Sequence, residues 1–442
     1  MFPNPQDALP LPSSPNLERY KKLAKGLAKI CETGDHDRVH DWASAWVRSL
    51  VHLSGLEFTP GLPVEVRRWT DEVTGFAIQT LLSGKRRCAL VDAQFVIARS
   101  QGFTSWPKLV NHIGEVARGG SPVADFEAAA DVVVAGDLRS LEQFLRQNPS
   151  LIRECSTREH RATLLHYTSA NGVEGYRQKT PKNIVEIAET LLESGAEVDA
   201  EANVYGGHST TLGLVATSIH PAAAGVQLPL LQLLLDYDAQ IERPNLGEKN
   251  RGAVISCLAN GQPKAGEFLA DRGARLDLEN AAGVGRLDIV KSFFGPDGKP
   301  GPNATNQQLQ KGFIWACMYG REEVAFFLLE HGADLRDSAN SGGTALHWAA
   351  GAGYVSIVER LIQRGAALEE INKWGGTVLE QAAYGFEHSE RDVNFAPVFE
   401  TLLAAGARPI GRWLEWIEKV KNRSAVEKTQ IRELFRRHGA TT

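Results

Sequence analysis

Two histidines four residues apart are the best candidates for metal chemistry in this sequence of 442 residues. His36 and His40 lie in the stretch Asp35-His-Asp-Arg-Val-His-Asp41, and a helix there would place both imidazoles on one face, where they would reach one metal ion. No third ligand follows at a fixed spacing, and Asp35 and Asp37 also suit the N-terminus of a helix electrostatically. An enzyme with a metal site in the N-terminal part of the chain is therefore an alternative, whereas the favoured interpretation includes no metal or cofactor.

Motifs for other kinds of catalysis are missing from the sequence. It contains no G-x-S-x-G, no H-E-x-x-H and no phosphate-binding glycine motif. The glycines of residues 295–303 alternate with proline and aspartate, which is typical of a loop. His166 and His347 have no acid, base or nucleophile patterned around them. We therefore predict a protein without catalytic activity.

A repeated unit runs through the second half of the chain. A Gly-Ala pair follows each of several apolar stretches, and the step from Gly332 to Gly365 sets the period. A Thr-x-Leu box stands upstream of several pairs, as in Thr344-Ala-Leu-His-Trp-Ala-Ala350, and the apolar residues between box and pair have helical spacing. The pairs are Gly195-Ala196, Gly273-Ala274, Gly332-Ala333, Gly365-Ala366 and Gly406-Ala407.

This box, together with a period of about 33 residues, resembles the ankyrin repeat. The resemblance covers about residues 124–409 and implies an all-α solenoid of about eight irregular repeats, because one helix pair cannot bury its apolar stripe alone. It also implies that His166 and His347 form hydrogen bonds between adjacent loops. The predicted units span residues 124–152, 162–200, 209–242, 251–274, 276–298, 308–336, 343–369 and 376–409.

Several units depart from the regular length. Three insertions, residues 171–182, 219–228 and 386–396, fall between the two helices of their units, so we expect them to emerge from one edge of the solenoid. After Gly273 the usual connecting loop is missing, and a loop rich in glycine and proline follows. We therefore expect a kink or a break in the superhelix near residues 273–306.

The two ends of the chain have helical patterns of a different kind. Residues 1–15 are rich in proline and are expected to be disordered. Residues 16–118 are predicted to form a helical N-terminal domain that resembles a segment found ahead of ankyrin repeats in bacterial proteins, with helices at 16–32, 36–52, 63–82, 85–101 and 105–117. Residues 410–442 are predicted to form a helical C-terminal cap over the last repeat.

The charge is unevenly distributed. The whole chain has a net charge of −5, whereas residues 121–407 carry 24 basic and 37 acidic groups. An acidic solenoid favours basic protein segments as partners and disfavours nucleic acid. The alternative is a regulator whose N-terminal domain binds nucleic acid or another macromolecule, which rests on Lys85-Arg86-Arg87.

The cysteines and the apolar stretches bear on location. Five cysteines lie far apart without a C-x-x-C, so a disulfide framework is not expected and a reducing compartment is favoured. The uncharged stretch 202–235 is interrupted by glycine and proline, and the N-terminus lacks the pattern of a secretory signal. We predict a cytoplasmic, monomeric bacterial protein that is not bound to a membrane.

The predicted function is that of a protein-interaction scaffold. In ankyrin repeat proteins the loop tips and the exposed face of the first helices, on the concave side of the solenoid, commonly bind a protein partner. Trp374 is the sharpest candidate, because it is a large aromatic residue at an ordinarily polar loop tip. The complete set of candidate binding residues is His160, Tyr205, Lys249, Arg251, Met318, Tyr319, Lys373, Trp374 and Tyr384.

Overall fold

Helices account for all the regular structure in a computed structural model of the chain that describes residues 4–12, 14–54, 62–82, 89–242, 252–389, 391–409 and 413–440. Over these residues the protein has no β-strand, and β-type pairing is limited to three isolated bridges. The chain divides into two units, Met1–Ile241 and Glu242–Thr442. The predicted all-α fold class is confirmed.

The first unit begins with five helices that correspond closely to the predicted ones. Asn16 and Asp35 cap the first two helices by accepting hydrogen bonds from backbone N–H groups of the first turn. Three tryptophans, Trp42, Trp46 and Trp69, are buried between these helices. The helices are α1 (Leu17–Cys31), α2 (His36–Leu53), α3 (Leu62–Leu81), α4 (Leu90–Ser100) and α5 (Trp106–Ala117).

The segment ahead of α1 is packed onto these helices. Ala8 and Leu9 are buried, and the Leu9 N–H donates to the Ser100 carbonyl oxygen at 2.8 Å. The Asp7 carboxylate lies 2.6 Å from the Arg68 guanidinium. The expected disorder of residues 1–15 is therefore wrong for residues 4–12, because apolar burial and an ion pair fix them to the domain.

Three helix pairs complete the first unit. α5 packs directly against the first helix of these pairs, so the helical domain and the repeats share one compact body. The pairs are α6 (Pro122–Ala135) with α7 (Leu138–Gln147), α8 (Leu164–Tyr167) with α9 (Ile184–Glu193), and α10 (Thr211–Thr217) with α12 (Gln227–Asp236), and the short α11 (Ile219–Ala223) lies inside the third pair.

Five helix pairs and a terminal hairpin form the described part of the second unit. The described residues of the whole chain thus contain eight helix pairs at the predicted positions of the repeats. The pairs are α13 (Ala253–Ala259) with α14 (Pro263–Ala270), α15 (Leu278–Gly283) with α16 (Leu287–Ser292), α17 (Asn306–Met318) with α18 (Glu322–Glu330), α19 (Ala345–Ala352) with α20 (Val355–Gln363), and α21 (Val378–His388) with α22 (Ala396–Ala404); the hairpin is α23 (Trp413–Lys419) and α24 (Ala425–Arg437).

The terminal hairpin covers the last helix pair, as the sequence predicts. α24 packs against α22, and the Phe435 ring contacts Phe399 with centroids 5.4 Å apart. Phe435, Ile431 and Ile417 are buried by this contact. The hairpin therefore removes the apolar face of the last pair from water.

The stack is continuous where a break was expected. α15 packs against both α13 and α17, so the shortened pair at 276–298 still lies between its neighbours. The glycine- and proline-rich loop is closed on itself, because the Gly301 N–H donates to the Phe293 carbonyl oxygen at 2.8 Å. A break near residues 273–306 is therefore wrong, whereas a kink there, the other expected outcome, stays a prediction.

The histidines of the Thr-x-Leu-His boxes connect adjacent loops. In each box the ring Nδ1 lies 2.8 Å from the threonine hydroxyl oxygen, which fixes the ring at the start of the first helix. The opposite nitrogen, Nε2, donates to a carbonyl oxygen of the next loop, from His166 to Ser209 at 3.2 Å and from His347 to Glu370 at 3.0 Å. The structural role implied by the resemblance is confirmed.

The first insertion folds back instead of emerging from an edge. Residues 171–182 contain a short 3-10 turn, Gly175–Arg177, and the Arg177 guanidinium donates to Glu127 and Asp131 on α6, at 2.8 Å in each case. Arg158 forms a buried ion pair with Glu174 in the same cluster. The insertion therefore joins the first repeat through buried charges.

Two further features concern the chain chemistry. Cys31 is disulfide-bonded, whereas Cys155, Cys257 and Cys317 carry free thiols. One disulfide does not make a framework, but it weakens the argument for a reducing compartment.

None of the helices within the described ranges is long and apolar enough to span a lipid bilayer.

Truncation of a core residue tests the stacking. Leu346 in α19 is 1% exposed, so Leu346→Ala should lower the free energy of unfolding by about 2–4 kcal/mol through lost contacts and a residual cavity. Val426→Ala, at a side chain that is 69% exposed on α24, is the matched control and should have little effect. Urea unfolding followed by circular dichroism measures both, and an unchanged Leu346→Ala midpoint would remove this helix from the core.

Removal of one buried charge tests the cluster. Glu174→Gln removes the carboxylate closest to the buried Arg158 guanidinium and leaves Glu127 Oε2 3.6 Å away, so we expect a loss of about 3 kcal/mol or more in unfolding free energy. Glu142→Gln, which removes an exposed pair with Arg146 within α7, should cost less than about 0.5 kcal/mol. Equal losses in the two variants, measured by urea unfolding, would contradict the buried role of Glu174.

Acid should destabilise the protein through the box histidines. Burial lowers the pKa of His166 to about 4, although the Ser209 carbonyl opposes the shift. Because the folded pKa lies below the unfolded value near 6.5, stability is full above about pH 6.5 and falls as the pH drops toward 4, by about 3 kcal/mol for this group. Urea midpoints between pH 7.5 and 4.5 should fall for the natural protein and fall less for His166→Asn; identical slopes would refute this assignment.

Candidate protein-binding surface

The loop between α20 and α21 is built around one asparagine side chain. The Asn372 amide oxygen accepts hydrogen bonds from the N–H groups of Trp374, at 3.0 Å, and Gly376, at 2.9 Å, and its nitrogen donates to Gln381 at 2.9 Å. The Lys373 N–H also donates to the Gly342 carbonyl oxygen of the preceding loop at 2.8 Å. These bonds fix the loop tip that carries Trp374.

The Trp374 ring is exposed but supported. Its side chain is 62% exposed, and it meets Trp348 of α19 edge to face, with centroids 6.0 Å apart. The Lys373 ammonium lies 4.4 Å from the Trp374 ring centroid, a cation–π contact. Trp348 in turn donates from its indole nitrogen to the Ser341 hydroxyl at 2.8 Å. The loop tip and the first helix thus present one joined aromatic surface.

Corresponding positions of successive first helices recur once per repeat period. Trp315, Trp348 and Gln381 share one such position, and Met318, Gly351 and Tyr384 share another, three residues further and on the same side of the helix. α17, α19 and α21 pack side by side, so these positions lie in register on three neighbouring helices. We name the following residues the aromatic row: Trp315, Met318, Trp348, Trp374 and Tyr384.

Close helix contact holds this row together. A Cβ atom at Gly385 of α21 would overlap the carbonyl oxygen of Gly351 in α19, so only glycine permits this approach. Tyr384, next to this contact, is 60% exposed, and its ring stacks on His388 with centroids 4.2 Å apart. The backbone contact therefore fixes the position of Tyr384 relative to α19.

Four of the predicted binding residues lie in the part of the second unit that runs from α17 to α21. Lys373, Trp374, Met318 and Tyr384 all lie on or beside the aromatic row. Tyr319 lies beside it but is half-buried: its hydroxyl donates to the Leu258 carbonyl oxygen and its ring stacks on Trp315. Burial raises the pKa of Tyr319 to about 12. Tyr319 thus supports the aromatic row by packing against Trp315.

The remaining predicted residues are elsewhere. Tyr205 belongs to the first unit, where it is 58% exposed and donates to Asn171 at 2.8 Å. His160 is 3% exposed, because it lies in the buried charge cluster 3.4 Å from Glu174; its assignment as a binding residue is wrong. Lys249 and Arg251 lie outside the described residues.

Two residues of the row are not among those that the sequence predicts. Trp315 and Trp348 are half-buried and carry a large part of the row. Their spacing equals the step from Gly332 to Gly365, and this match to the repeat period is the signal that could have found them. The unit at 308 lacks the histidine box, and there Gln310 of α17 fixes the loop after α18 by donating to the Asp334 and Asp337 carbonyl oxygens, at 2.8 and 2.9 Å.

The two alternative functions, a metal-dependent enzyme and a regulator that binds nucleic acid, gain no support from the geometry of the described residues. His40 faces Asp71, with Nε2 and a carboxylate oxygen 3.8 Å apart, on the exposed surface of α2 and α3. Within the described ranges no group of three or more His, Cys, Asp or Glu residues is placed to hold a metal ion. Lys85, Arg86 and Arg87 lie outside the described residues.

A comparison of the sequence with known families agrees with this architecture. A sequence model of the family "Ankyrin repeats (3 copies)" matches residues 278–373, which run from α15 to the loop of Trp374. No curated protein matches the chain. Among solved structures, an ankyrin repeat domain from Acinetobacter baumannii is 22% identical, covering 52% of this chain and 98% of its own, with a TM-score of 0.27. The human ASB11 ankyrin repeat domain is 20% identical, covering 64% of this chain and 98% of its own, with a TM-score of 0.33.

Stacked pairs of short helices joined by hydrogen-bonded loops define the class of helical repeat proteins. Residues 278–373, with their regular period and their Thr-x-Leu-His box, are therefore ankyrin repeats. Such repeats are a module for protein interaction. Trp315, Met318 and Trp348 of the aromatic row lie within the matched segment, and Trp374 and Tyr384 follow it.

Proposed function

We propose that the protein is a non-catalytic interaction scaffold that binds a protein partner along the aromatic row. The observation that carries the proposal is the exposure of Trp374 and Tyr384, at 62% and 60%, on loops and helices that are otherwise well packed. Large exposed aromatic side chains are favourable anchors for an interface, because they bury much apolar area with few rotatable bonds.

Preorganisation supports this assignment. The Asn372 hydrogen bonds and the Trp348 contact hold the Trp374 side chain before any partner arrives. A surface that is already ordered loses less conformational entropy on binding, so more of the contact energy contributes to affinity. Exposure of the large Trp374 ring to water does not stabilise the fold. Its fixed and exposed position is therefore better explained by partner binding than by stability.

The proposed partner presents a basic segment. Residues 121–407, which cover the predicted repeats except for the last two residues of the eighth, carry 24 basic and 37 acidic groups. A negative surface attracts positive segments and accelerates their association. A guanidinium group also stacks well on tryptophan and tyrosine faces. The proposal also includes that the protein is cytoplasmic, monomeric and of bacterial origin.

Differential capture tests the binding surface. The natural chain and the double variant Trp374→Ala/Tyr384→Ala are immobilised, and the proteins retained from a lysate of the source organism are quantified by mass spectrometry. We expect at least one protein to be retained by the natural chain and lost, by about tenfold or more, from the double variant, since interface anchors contribute roughly 2 kcal/mol or more each.

Two controls separate binding from folding. Val426→Ala removes an apolar side chain that is 69% exposed on α24, so it should retain the same protein as the natural chain. The double variant should melt at the natural temperature, because both altered side chains are largely exposed. Full retention by the double variant would exclude the aromatic row as the binding surface.

A further inference from the structure

Residues 4–12, which we name the N-terminal strap, lie in a groove of the first unit. The walls of the groove are α3, the end of α4 and the 3-10 turn Gly175–Arg177 of the first insertion. These elements are far apart in sequence, so the groove exists only in the folded unit. The aromatic row belongs to the second unit and takes no part in this groove.

A glycine lets the backbone of the strap come close to the insertion. A Cβ atom at Gly175 would lie 2.6 Å from the Gln6 carbonyl oxygen, so a larger residue there would collide with the strap. The φ angle of Gly175 is not in the left-handed region, and the close approach is therefore what requires glycine at this position. The groove is thus shaped to receive the main chain of another segment.

Polar groups hold the strap at only two points among the described residues. The Leu9 N–H donates to the Ser100 carbonyl oxygen at 2.8 Å, and the Asp7 carboxylate lies 2.6 Å from the Arg68 guanidinium. Three of the nine strap residues are prolines, which have no N–H to donate. The side-chain oxygen of Gln6 is buried and has no hydrogen-bond partner in the described part of the chain, which opposes docking.

Arg68 does not need the strap to be neutralised. It also pairs with Glu65 at 2.8 Å and with Glu72 at 3.0 Å on its own helix, so release of Asp7 leaves the guanidinium paired. Burial raises the pKa of Glu72, and the Asp7 carboxylate raises it further, although Arg68 lowers it. The docked strap therefore adds a third carboxylate around one cation, and its release relieves the repulsion between them.

Apolar burial supplies the rest of the attraction. Leu9 is completely buried and Ala8 is 1% exposed. Leu11 packs at the edge of the same core, but Leu11 and Pro12 also border a cavity of about 480 Å³, so this end of the strap is incompletely packed. The contacts that hold the strap are thus those of a bound peptide, namely one carboxylate, one main-chain hydrogen bond and one deeply buried leucine.

We propose that the groove is a peptide-binding site and that the N-terminal strap is its internal ligand. A partner segment displaces the strap when it carries an aspartate two residues ahead of a leucine and a proline directly after it, as in Asp7-Ala-Leu-Pro10. Arg68 recognises the carboxylate, and the closed space around Leu9 selects the leucine. An internal ligand has a high effective concentration, so it excludes weak competitors. This site is independent of the partner-binding function proposed above.

Peptide binding to the full chain tests the proposal. The probe is a fluorescein-labelled peptide with the sequence of residues 4–12, and its binding is followed by fluorescence anisotropy. Leu9→Asp in the full chain should expel the strap, because an ionised carboxylate is not tolerated in an apolar site, and this variant should bind the peptide in a saturable manner. The natural chain should bind it at least about tenfold more weakly, since its own strap fills the groove. Absence of saturable binding to Leu9→Asp, with the fold intact by circular dichroism, would overturn the proposal.

Two glycine variants of the Leu9→Asp chain locate the peptide. Gly175→Ala should weaken the peptide by about tenfold or more, because the added Cβ atom meets the carbonyl oxygen that corresponds to Gln6. Gly75→Ala is the matched control and should bind as before, since it lies on the same helix as Arg68 and its Cβ atom would have no neighbour within 4 Å. Equal affinity in the Gly175→Ala and Gly75→Ala variants would place the peptide elsewhere and refute the site.

Hydrogen exchange on the natural chain tests displacement without any variant. The Leu9 amide should exchange at least about a hundredfold faster than amides buried in the helices of the same unit, such as those of Leu27 and Val47, if the strap leaves the groove while the helices stay folded. Equal protection of Leu9 and of these core amides would mean that the strap is released only when the unit unfolds, and this result would contradict the role of an internal ligand.

Discussion

Burial of apolar side chains between neighbouring helix pairs is the interaction on which the rest of the structure depends. Each pair is short, and α19 spans only eight residues, so no pair is stable alone. Leu346, Ile357 and Leu361 are each about 1% exposed, and the two helices that carry them pack against each other and against the pairs on either side. Every surface feature, including the aromatic row, takes its position from this side-by-side packing.

Small residues make this packing close enough to define a surface. Gly351 and Gly385 let the backbones of α19 and α21 touch, and Ala349 and Ala350 are completely buried at the same contact. Side chains at equivalent positions of neighbouring helices then stand about one helix diameter apart, roughly 10 Å. A row of anchors at this spacing can contact an extended or helical partner at several points at once.

Polar groups perform a different task in each unit. In the second unit they order the loops. His347 joins consecutive loops, Gln310 of α17 fixes the loop after α18, and Asn372 shapes the tip that carries Trp374. In the first unit they join elements that are distant in sequence, since Arg177 and Glu127 are 50 residues apart. The first arrangement displays a surface to solvent, whereas the second one fixes the helical domain, the insertion and the repeats as one body around a cavity.

The sequence by itself determined the helix pairs, the box histidines and the terminal hairpin, because these depend on local periodicity and on contacts that recur once per repeat. The candidate anchors Trp374 and Tyr384 could also be identified from the sequence, since the repeat pattern shows that an aromatic residue stands at a position that is usually exposed. Only the tertiary structure decided that residues 4–12 are packed, that His160 is buried and that the first insertion folds back. Those outcomes depend on single ion pairs and contacts between distant residues, such as Asp7 with Arg68, 61 positions apart, and no local pattern encodes such a pairing.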